Sequence, residues 1–441
     1  MSSLNFFPKD GITNFEANSE GLTVEAESIA QPMEATADQF DSADLFVAVL
    51  GEFDSNDIAT MCDALRTLPA QLRIAVSHSG REESAAPVNA GETQESASVF
   101  FVPSILAKPD TLATDVLQTM SETYQSVFAA ADKLQARGCC IIASKLEEMT
   151  PSWALRMAQP LFEGQADLVL PHYARRKFDG LLNASIIAPM TRALYGKRVN
   201  NPMGPDFGLS RSLFQRMLAA RNGGAAGGNR LHPLASLTPT ALCQNLQITQ
   251  VHLGTRSYPP TDWTNMSSVL ADVLTPVFLD VDRNAACWQR ARFSAPVPAI
   301  GEPAPSGQDI GTMDTRPMVE SFQLGNRELQ EIWSLVLPPF TLFELRKLSR
   351  LPLEQFRMPD ELWVKIVYDF ALAHRLRTIS RNHLLKSMAP LYLGWVASYA
   401  NDLLLSGAIS SERRLERLSL AYEAGKSYLV SRWRWPDRFN P

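Results

Sequence analysis

Long hydrophobic runs and an excess of positive charge are both missing from this 441-residue chain. A membrane-spanning helix needs roughly 18 to 20 consecutive apolar residues, whereas one of the longest apolar runs here, LVLPPFTLF, contains two prolines. The 41 lysines and arginines stand against 47 acidic residues, giving a formal net charge of −6. This balance argues against nucleic acid or an anionic membrane surface as a partner. Because the N-terminal stretch also has no secretory h-region, we expect a cytoplasmic protein without a membrane span.

Cysteine is scarce, and several familiar motifs are absent. The chain has five cysteines, of which Cys139 and Cys140 are adjacent on a predicted strand and therefore point to opposite faces. No spacing typical of a zinc site occurs, so we expect reduced, partly buried thiols. The sequence has no GxGxxG, P-loop, GxSxG or HExxH motif, which removes the usual support for dinucleotide binding, P-loop NTPases, common hydrolases and zincins.

Strands that alternate with helices dominate the chain from residue 44 onward. The predicted strands are DLFVAVLGEF, QLRIAVSH, ASVFFVPS, CCIIAS and ADLVLPHY. A helix follows the first strand, and a long helix that we expect to end at Gly138 precedes the fourth. This alternation predicts an α/β fold with a mostly parallel sheet covered by helices on both faces.

Composition divides the chain into four parts. Residues 1–42 are acidic and show no hydrophobic period, which predicts a disordered tail. Residues 43–293 form the predicted α/β domain, and residues 294–317, rich in proline and glycine, form a predicted linker. Residues 318–441 carry amphipathic helical patterns and form a predicted α-helical C-terminal domain.

Ligands of open α/β sheets bind at the carboxyl ends of the strands. The richest of these ends here is the segment PHYARRKFDG, which contains His172, Arg175, Arg176 and Asp179. Two neighbouring guanidinium groups can hold a carboxylate or phosphate through paired hydrogen bonds. A solvated loop explains the same charges equally well, and a lone histidine is more often structural than a ligand.

A second polar segment, YGKRVNNPMGPDFGLS, places Gly204 and Asp206 between two predicted helices. Glycine beside an acid allows the backbone to approach a ligand closely while the carboxylate accepts its hydroxyls. A tight turn between the helices is the simpler alternative.

The block from Ala166 to Ser210, ADLVLPHYARRKFDGLLNASIIAPMTRALYGKRVNNPMGPDFGLS, resembles the central block of certain bacterial GT-A-fold glycosyltransferases. These are the enzymes related to mannosylglycerate synthase and glucosyl-3-phosphoglycerate synthase. The resemblance continues through TPSW, VHLGTR, PLYLGWVASY and YEAGKSYLVSRW. It implies a GT-A-like fold, a nucleotide-sugar donor, a divalent cation and retaining transfer onto glycerate or a similar hydroxy acid. We expect Asn183, which falls within the matched block, to bind substrate together with His172, Arg175, Arg176, Asp179 and Gly204.

The metal site of this family is altered in the sequence. The family's Asp-x-Asp falls on Ala143, Ser144 and Lys145, and a histidine that completes the site falls on Tyr258. Magnesium and manganese require hard oxygen ligands, which neither alanine nor lysine supplies. We therefore expect no metal ligands at these positions.

Three interpretations remain open. In the first, Lys145 replaces the cation at the donor diphosphate, with Lys145 and Asp206 as the catalytic residues and Arg175 or Arg176 as helpers. In the second, the chain is a catalytically inactive homologue that acts as a binding or scaffold protein, because the family's donor loop is replaced by LGEFDSN. In the third, the helical tail mediates a homodimer or pairs the chain with an active paralogue, giving a regulatory partner.

Overall fold

A computed structural model describes residues 42–50, 53–78, 96–102, 116–144, 152–222, 232–256, 258, 261–304, 313–406 and 410–436. Lys145 lies outside the described residues, as do the predicted tail through residue 41 and residues 305–312 of the predicted linker.

A mostly parallel sheet of eight strands forms the centre of the described chain. In spatial order, the strands are β10 (Ala299–Ile300), β8 (Ile248–Thr255), β5 (Leu168–Ala174), β7 (Phe207–Ser210), β4 (Gly138–Ile142), β1 (Leu45–Val49), β2 (Arg73–His78) and β3 (Ser98–Phe101). Only β7 runs antiparallel to its neighbours. The sequences of β1 and β4, LFVAV and GCCII, are buried along their whole length, as expected of central strands covered on both faces. The predicted α/β fold with a mostly parallel sheet is therefore confirmed.

Helices cover both faces of this sheet. They are α1 (Ser55–Arg66), α2 (Val116–Lys133), α3 (Ser152–Phe162), α4 (Ala188–Tyr195), α5 (Arg211–Asn222), α6 (Pro233–Cys243), α7 (Met266–Arg283) and α8 (Ala285–Trp288). A π-helical turn, Asn183–Ile187, leads directly into α4. Turns of this kind are rare and occur frequently at functional sites.

A helical region follows the sheet. Its helices are α9 (Arg316–Glu328), α10 (Gln330–Ser334), α11 (Pro339–Leu348), α12 (Asp360–Leu376), α13 (Arg381–Ser387), α14 (Ala389–Ser406) and α15 (Ser411–Arg434). Buried Arg192 on α4 joins the two regions, because its guanidinium lies 2.7 Å from Glu416 and 2.7 Å from Glu423 on α15. One continuous apolar core also includes residues from both regions. Among the helices that the structure describes, none is long and apolar enough to cross a membrane.

Three local features differ from the sequence-based expectations. Helix α2 ends at Lys133, and Gly138 opens β4 instead of ending the helix. Within the predicted linker, Ala295–Pro296 forms β9, which pairs with β6 (Lys197–Arg198), and β10 extends the main sheet. The division into domains otherwise stays a prediction.

The expectation that all cysteines are reduced is wrong for one pair. Cys243 at the end of α6 and Cys287 on α8 form a disulfide with a Cα–Cα distance of 5.7 Å, which is typical of such bonds. Cys62, Cys139 and Cys140 are free and buried, as predicted. The two bonded cysteines are 44 residues apart, so their proximity depends on how α6 and α8 pack.

Candidate functional site

Asp206 immediately precedes the antiparallel strand β7, which begins at Phe207. Because β7 lies between β4 and β5 and runs in the opposite direction, Asp206 lies at the carboxyl ends of those two strands. Phe207 of β7 pairs with Ile141 near the end of β4, so Asp206 faces the residues that follow β4. Its Oδ1 atom accepts hydrogen bonds from the backbone N–H groups of Ala143 and Ser144, both at 2.7 Å. Its Oδ2 atom accepts a hydrogen bond from the Tyr173 hydroxyl, also at 2.7 Å. With only 1% of its surface exposed, this carboxylate fixes the backbone from which Lys145 continues.

Two buried phenols surround the Asp206 segment. The Tyr173 hydroxyl donates to Asp206 itself, and the Tyr124 hydroxyl donates to the carbonyl of Pro205 at 3.3 Å. Burial raises the pKa of both hydroxyls well above the usual range, and the negative charge of Asp206 raises it further. The positive charge of Arg256 opposes this effect in both cases. Both phenols therefore remain protonated and act as donors at physiological pH.

Arginine side chains converge on Tyr258 just beyond the end of β8. The Arg256 guanidinium lies over the Tyr258 ring, with 4.8 Å between its Cζ atom and the ring centroid, a geometry typical of a cation–π contact. Burial raises the pKa of the Tyr258 hydroxyl, and the charges of Arg256 and Arg175 oppose that rise. Gly180 has a φ angle of +56°, and a Cβ atom there would lie 3.6 Å from the same ring. Tyr258 is thus the place where the turn after β5 meets the end of β8.

Hydrogen bonds within the turn Arg175–Gly180 hold its shape. The Asp179 carboxylate accepts the backbone N–H of Arg176 at 3.3 Å, and the Asp179 N–H donates to the Arg176 carbonyl at 3.2 Å. The Arg175 guanidinium donates to the Lys177 carbonyl at 3.2 Å. The Arg175 Nε atom is buried and has no hydrogen-bond partner in the described chain. The Lys177 carbonyl thus engages one terminal nitrogen of this guanidinium.

His172 and Asn183 belong to a separate polar group. His172 precedes Tyr173 on β5, so its side chain points to the opposite face of the sheet. Its ring lies 4.5 Å from that of His252, and its Nδ1 atom lies 3.3 Å from the Asn200 amide nitrogen. Asn183 donates to the Asn200 carbonyl at 2.9 Å. Burial and the neighbouring His252 lower the pKa of His172 to about 4, so the imidazole is neutral at physiological pH.

The structure thus divides most of the predicted site residues between two groups. The charges of Arg175, Asp179 and Asp206 act on the pKa of Tyr258, whereas His172 and Asn183 contact Asn200. A Cβ atom at Gly204 would clash with the Asn201 side chain, so local packing of the loop explains that glycine. The ligand-binding or catalytic roles assigned to all these residues stay predictions.

Sequence reasoning missed Tyr173 and Arg256. Both are polar or charged residues at the carboxyl ends of strands, β5 and β8, where ligands of α/β sheets gather. Their position at the strand ends was the signal by which the sequence could have marked them as candidate site residues. The resemblance of VHLGTR to the family assigns no role to its arginine.

The residues present do not fit the divalent cation that the resemblance implies. The Ala143 side chain has no ligand atom, both oxygens of Asp206 already accept hydrogen bonds, and Tyr258 is a protonated phenol beside a guanidinium. Across the described ranges, no group of three or more His, Cys, Asp and Glu side chains lies close enough to hold a metal ion. Magnesium and manganese need several oxygen ligands, and these residues do not supply them.

Comparison with known proteins gives distant structural likenesses. No protein-family model and no curated protein matches the sequence. A crystal structure of a mycobacterial protein is 20% identical and covers 55% of this chain and 74% of that chain, with a TM-score of 0.35. Glucosyl-3-phosphoglycerate synthase from Mycobacterium tuberculosis in complex with phosphoglyceric acid is 18% identical, covering 58% of this chain and 85% of that chain, with a TM-score of 0.34. The same synthase in complex with Mn²⁺, UDP-glucose and phosphoglyceric acid is 18% identical and covers 58% of this chain and 86% of that chain, with a TM-score of 0.33. Likenesses at these scores carry no argument about the activity of this chain.

Proposed function

We propose that this chain is a GT-A-like glycosyltransferase that transfers a hexosyl group from a nucleotide sugar to a small, glycerate-like acceptor. In this proposal, a side-chain cation takes the place of a metal ion at the donor diphosphate. The observation that carries it is the fixed backbone at the end of β4, where Asp206 binds two successive N–H groups immediately before Lys145. The resemblance of the Ala166–Ser210 block to glycosyltransferases supports the proposed reaction class.

The charge on Lys145 has a specific task in this proposal. Breaking the glycosidic bond leaves negative charge on the nucleoside diphosphate, and a fixed ammonium group stabilises that charge as it develops. Asp206 anchors the backbone of Ala143 and Ser144, the two residues that precede Lys145 in the sequence.

The acceptor is assigned to the turn after β5. Arg175 lies beside Tyr258 and has an Nε donor without a hydrogen-bond partner in the described residues. An acceptor carboxylate suits this guanidinium because the two groups form charge-assisted, paired hydrogen bonds. Arg176 and Asp179 complete the proposed acceptor site, with Asp179 accepting a hydroxyl.

A second candidate function is ligand binding without turnover. The replacement of the family's donor loop by LGEFDSN favours it, because even a metal-free transferase must hold its nucleotide. In this alternative, Asp206 anchors the fold and takes no part in sugar transfer. The protein then serves as a scaffold or as the regulatory partner of an active paralogue.

A transfer assay separates the two candidates. The purified chain is incubated with UDP-glucose or GDP-mannose and D-glycerate in EDTA, and the products are identified by mass spectrometry. Formation of a glycosylated acceptor supports the transferase, and its loss in Lys145→Ala, with retention in Lys197→Ala, supports the role of the ammonium. Lys197 is a suitable control because it is exposed on the short strand β6. Donor binding without any product supports the binding protein.

Cellular location and assembly belong to the same proposal. We assign the chain to the cytoplasm and assign homodimer formation, or pairing with a paralogue, to the helical region. Light scattering on the purified chain measures its mass in solution and so tests for the homodimer. A monomer at all concentrations would contradict the homodimer.

A further inference from the structure

Aromatic residues of the C-terminal helical region reach the turn that carries Arg175. Trp363 on α12 stacks on Trp395 of α14, and Trp395 stacks on Tyr399, with ring centroids 6.0 Å and 5.4 Å apart. Tyr399 in turn makes an edge contact with Phe178 of the turn, at 6.3 Å between centroids. We call Trp363, Trp395 and Tyr399 the aromatic column. The column links the interior of the helical region to a surface segment of the α/β region.

A hydrogen bond fixes the same turn. The Tyr399 hydroxyl is fully buried and donates to the carbonyl of Lys177 at 2.7 Å. That carbonyl also accepts the Arg175 guanidinium at 3.2 Å. One oxygen atom therefore joins the aromatic column to the side chain proposed to bind the acceptor.

The helical region also holds the segment that follows the turn. The carbonyl of Ser185, in the π-helical turn, accepts hydrogen bonds from the Tyr422 hydroxyl at 2.9 Å and the Trp363 indole N–H at 3.4 Å. Both donors are buried and come from α15 and α12. The helical region thus holds the turn at Lys177 and the segment that follows the turn at Ser185.

We infer that Tyr399 is a positioning residue, which sets the Arg175 guanidinium through the Lys177 carbonyl and so makes the helical region part of the anion-binding site. The inference rests on the proposed function only for the identity of the anion, an acceptor carboxylate. Without the hydroxyl, the Lys177 carbonyl loses its buried donor, and the turn samples other conformations. The guanidinium then spends less time in the orientation that binds a carboxylate.

The test compares Tyr399→Phe with Tyr368→Phe. Phenylalanine keeps the ring stacking and removes only the hydroxyl. Tyr368 is a matched control because its buried hydroxyl also donates to a backbone carbonyl, that of Tyr422 at 2.8 Å, which lies outside the turn. Hydrogen–deuterium exchange is measured on peptides that cover the turn, and calorimetry measures the affinity for D-glycerate.

We expect Tyr399→Phe, but not Tyr368→Phe, to speed exchange in the turn and to weaken glycerate binding about three- to tenfold, the effect of one lost hydrogen bond. Equal exchange in the turn for both variants and the wild type would overturn the inference. Should the wild type fail to bind glycerate, the proposed acceptor is wrong, and the exchange measurement alone decides the role of Tyr399. If Tyr399→Phe does not fold, Phe178→Leu removes the ring contact from the turn side and is judged by the same exchange criterion.

Discussion

Replacing Asp206 by asparagine is expected to destabilise the fold by about 2–4 kcal/mol. The carboxylate accepts three hydrogen bonds at 2.7 Å, two from backbone N–H groups and one from the Tyr173 hydroxyl. Asparagine retains one acceptor oxygen, which can still bind the N–H groups of Ala143 and Ser144. Its amide nitrogen then faces the phenol, which must rotate to accept. All three bonds lose their charge assistance, and each such bond contributes about 1.5–3 kcal/mol when intact.

Urea unfolding at neutral pH measures this effect, with two phenylalanine variants for calibration. Tyr173→Phe removes one charge-assisted bond and should cost about 1.5–3 kcal/mol. Tyr124→Phe removes a neutral bond to the Pro205 carbonyl at 3.3 Å and should cost only about 0.5–1.5 kcal/mol. An Asp206→Asn variant as stable as the wild type, but unable to bind a nucleotide sugar, would refute the anchoring role and restore Asp206 as a ligand-binding carboxylate.

Two further predictions concern stability. Buried Asp280 on α7 accepts hydrogen bonds from Tyr195 and Asn284, and burial raises its pKa from 3.8 to about 7. Because the folded chain keeps this proton while the unfolded chain releases it, the free energy of unfolding falls as pH rises from about 4 to about 7. Asp280→Asn should remove that fall, which is a gain of at most about 4 kcal/mol at pH 8. Parallel pH profiles of the two proteins in thermal unfolding would contradict this prediction. The Cys243–Cys287 disulfide closes a 44-residue separation, so its reduction should cost about 2–4 kcal/mol. Alkylation of the unfolded, unreduced chain should label three cysteines, and labelling of all five would show that the bond is absent.

The strands of the sheet were largely predictable from the sequence. Segments such as CCIIAS and ADLVLPHY are short, apolar and bounded by polar residues. The observed strands β4 and β5 overlap these two segments, with ends that differ by one or two residues. Helix α7 was also predictable, because its apolar residues from Met266 to Val281 recur at three- and four-residue spacing, and they are buried in the structure. In these elements, local pattern and tertiary packing agree.

The antiparallel strand β7 could not be predicted in the same way. Its sequence, FGLS, has four residues and a glycine, and neither length nor period marks it as a strand. Gly208 lets this strand pack closely against Leu161, the Met157 carbonyl and Val169, all distant in sequence. The position of Asp206 at the ends of β4 and β5 depends on this strand, so the contacts of its carboxylate could not be foreseen.

Other parts of the site depend on similar long-range contacts. The contact between Tyr399 and Lys177 joins residues 222 positions apart, and the resemblance of PLYLGWVASY to a helical appendix gave no role to its tyrosine. The pairing of Cys243 with Cys287 likewise depends on how two helices pack. Residue types at strand ends predicted that polar side chains gather there, but only the fold shows which of them meet.

Calorimetry in EDTA decides whether the Lys145 ammonium takes the place of a metal ion. UDP- and GDP-sugars are titrated into the wild type, Lys145→Ala and the exposed control Lys197→Ala, each with EDTA and with Mn²⁺. We expect nucleotide-sugar binding by the wild type that survives EDTA, is lost in Lys145→Ala and is unchanged in Lys197→Ala. Wild-type binding that requires Mn²⁺, or binding that Lys145→Ala retains in EDTA, would contradict it.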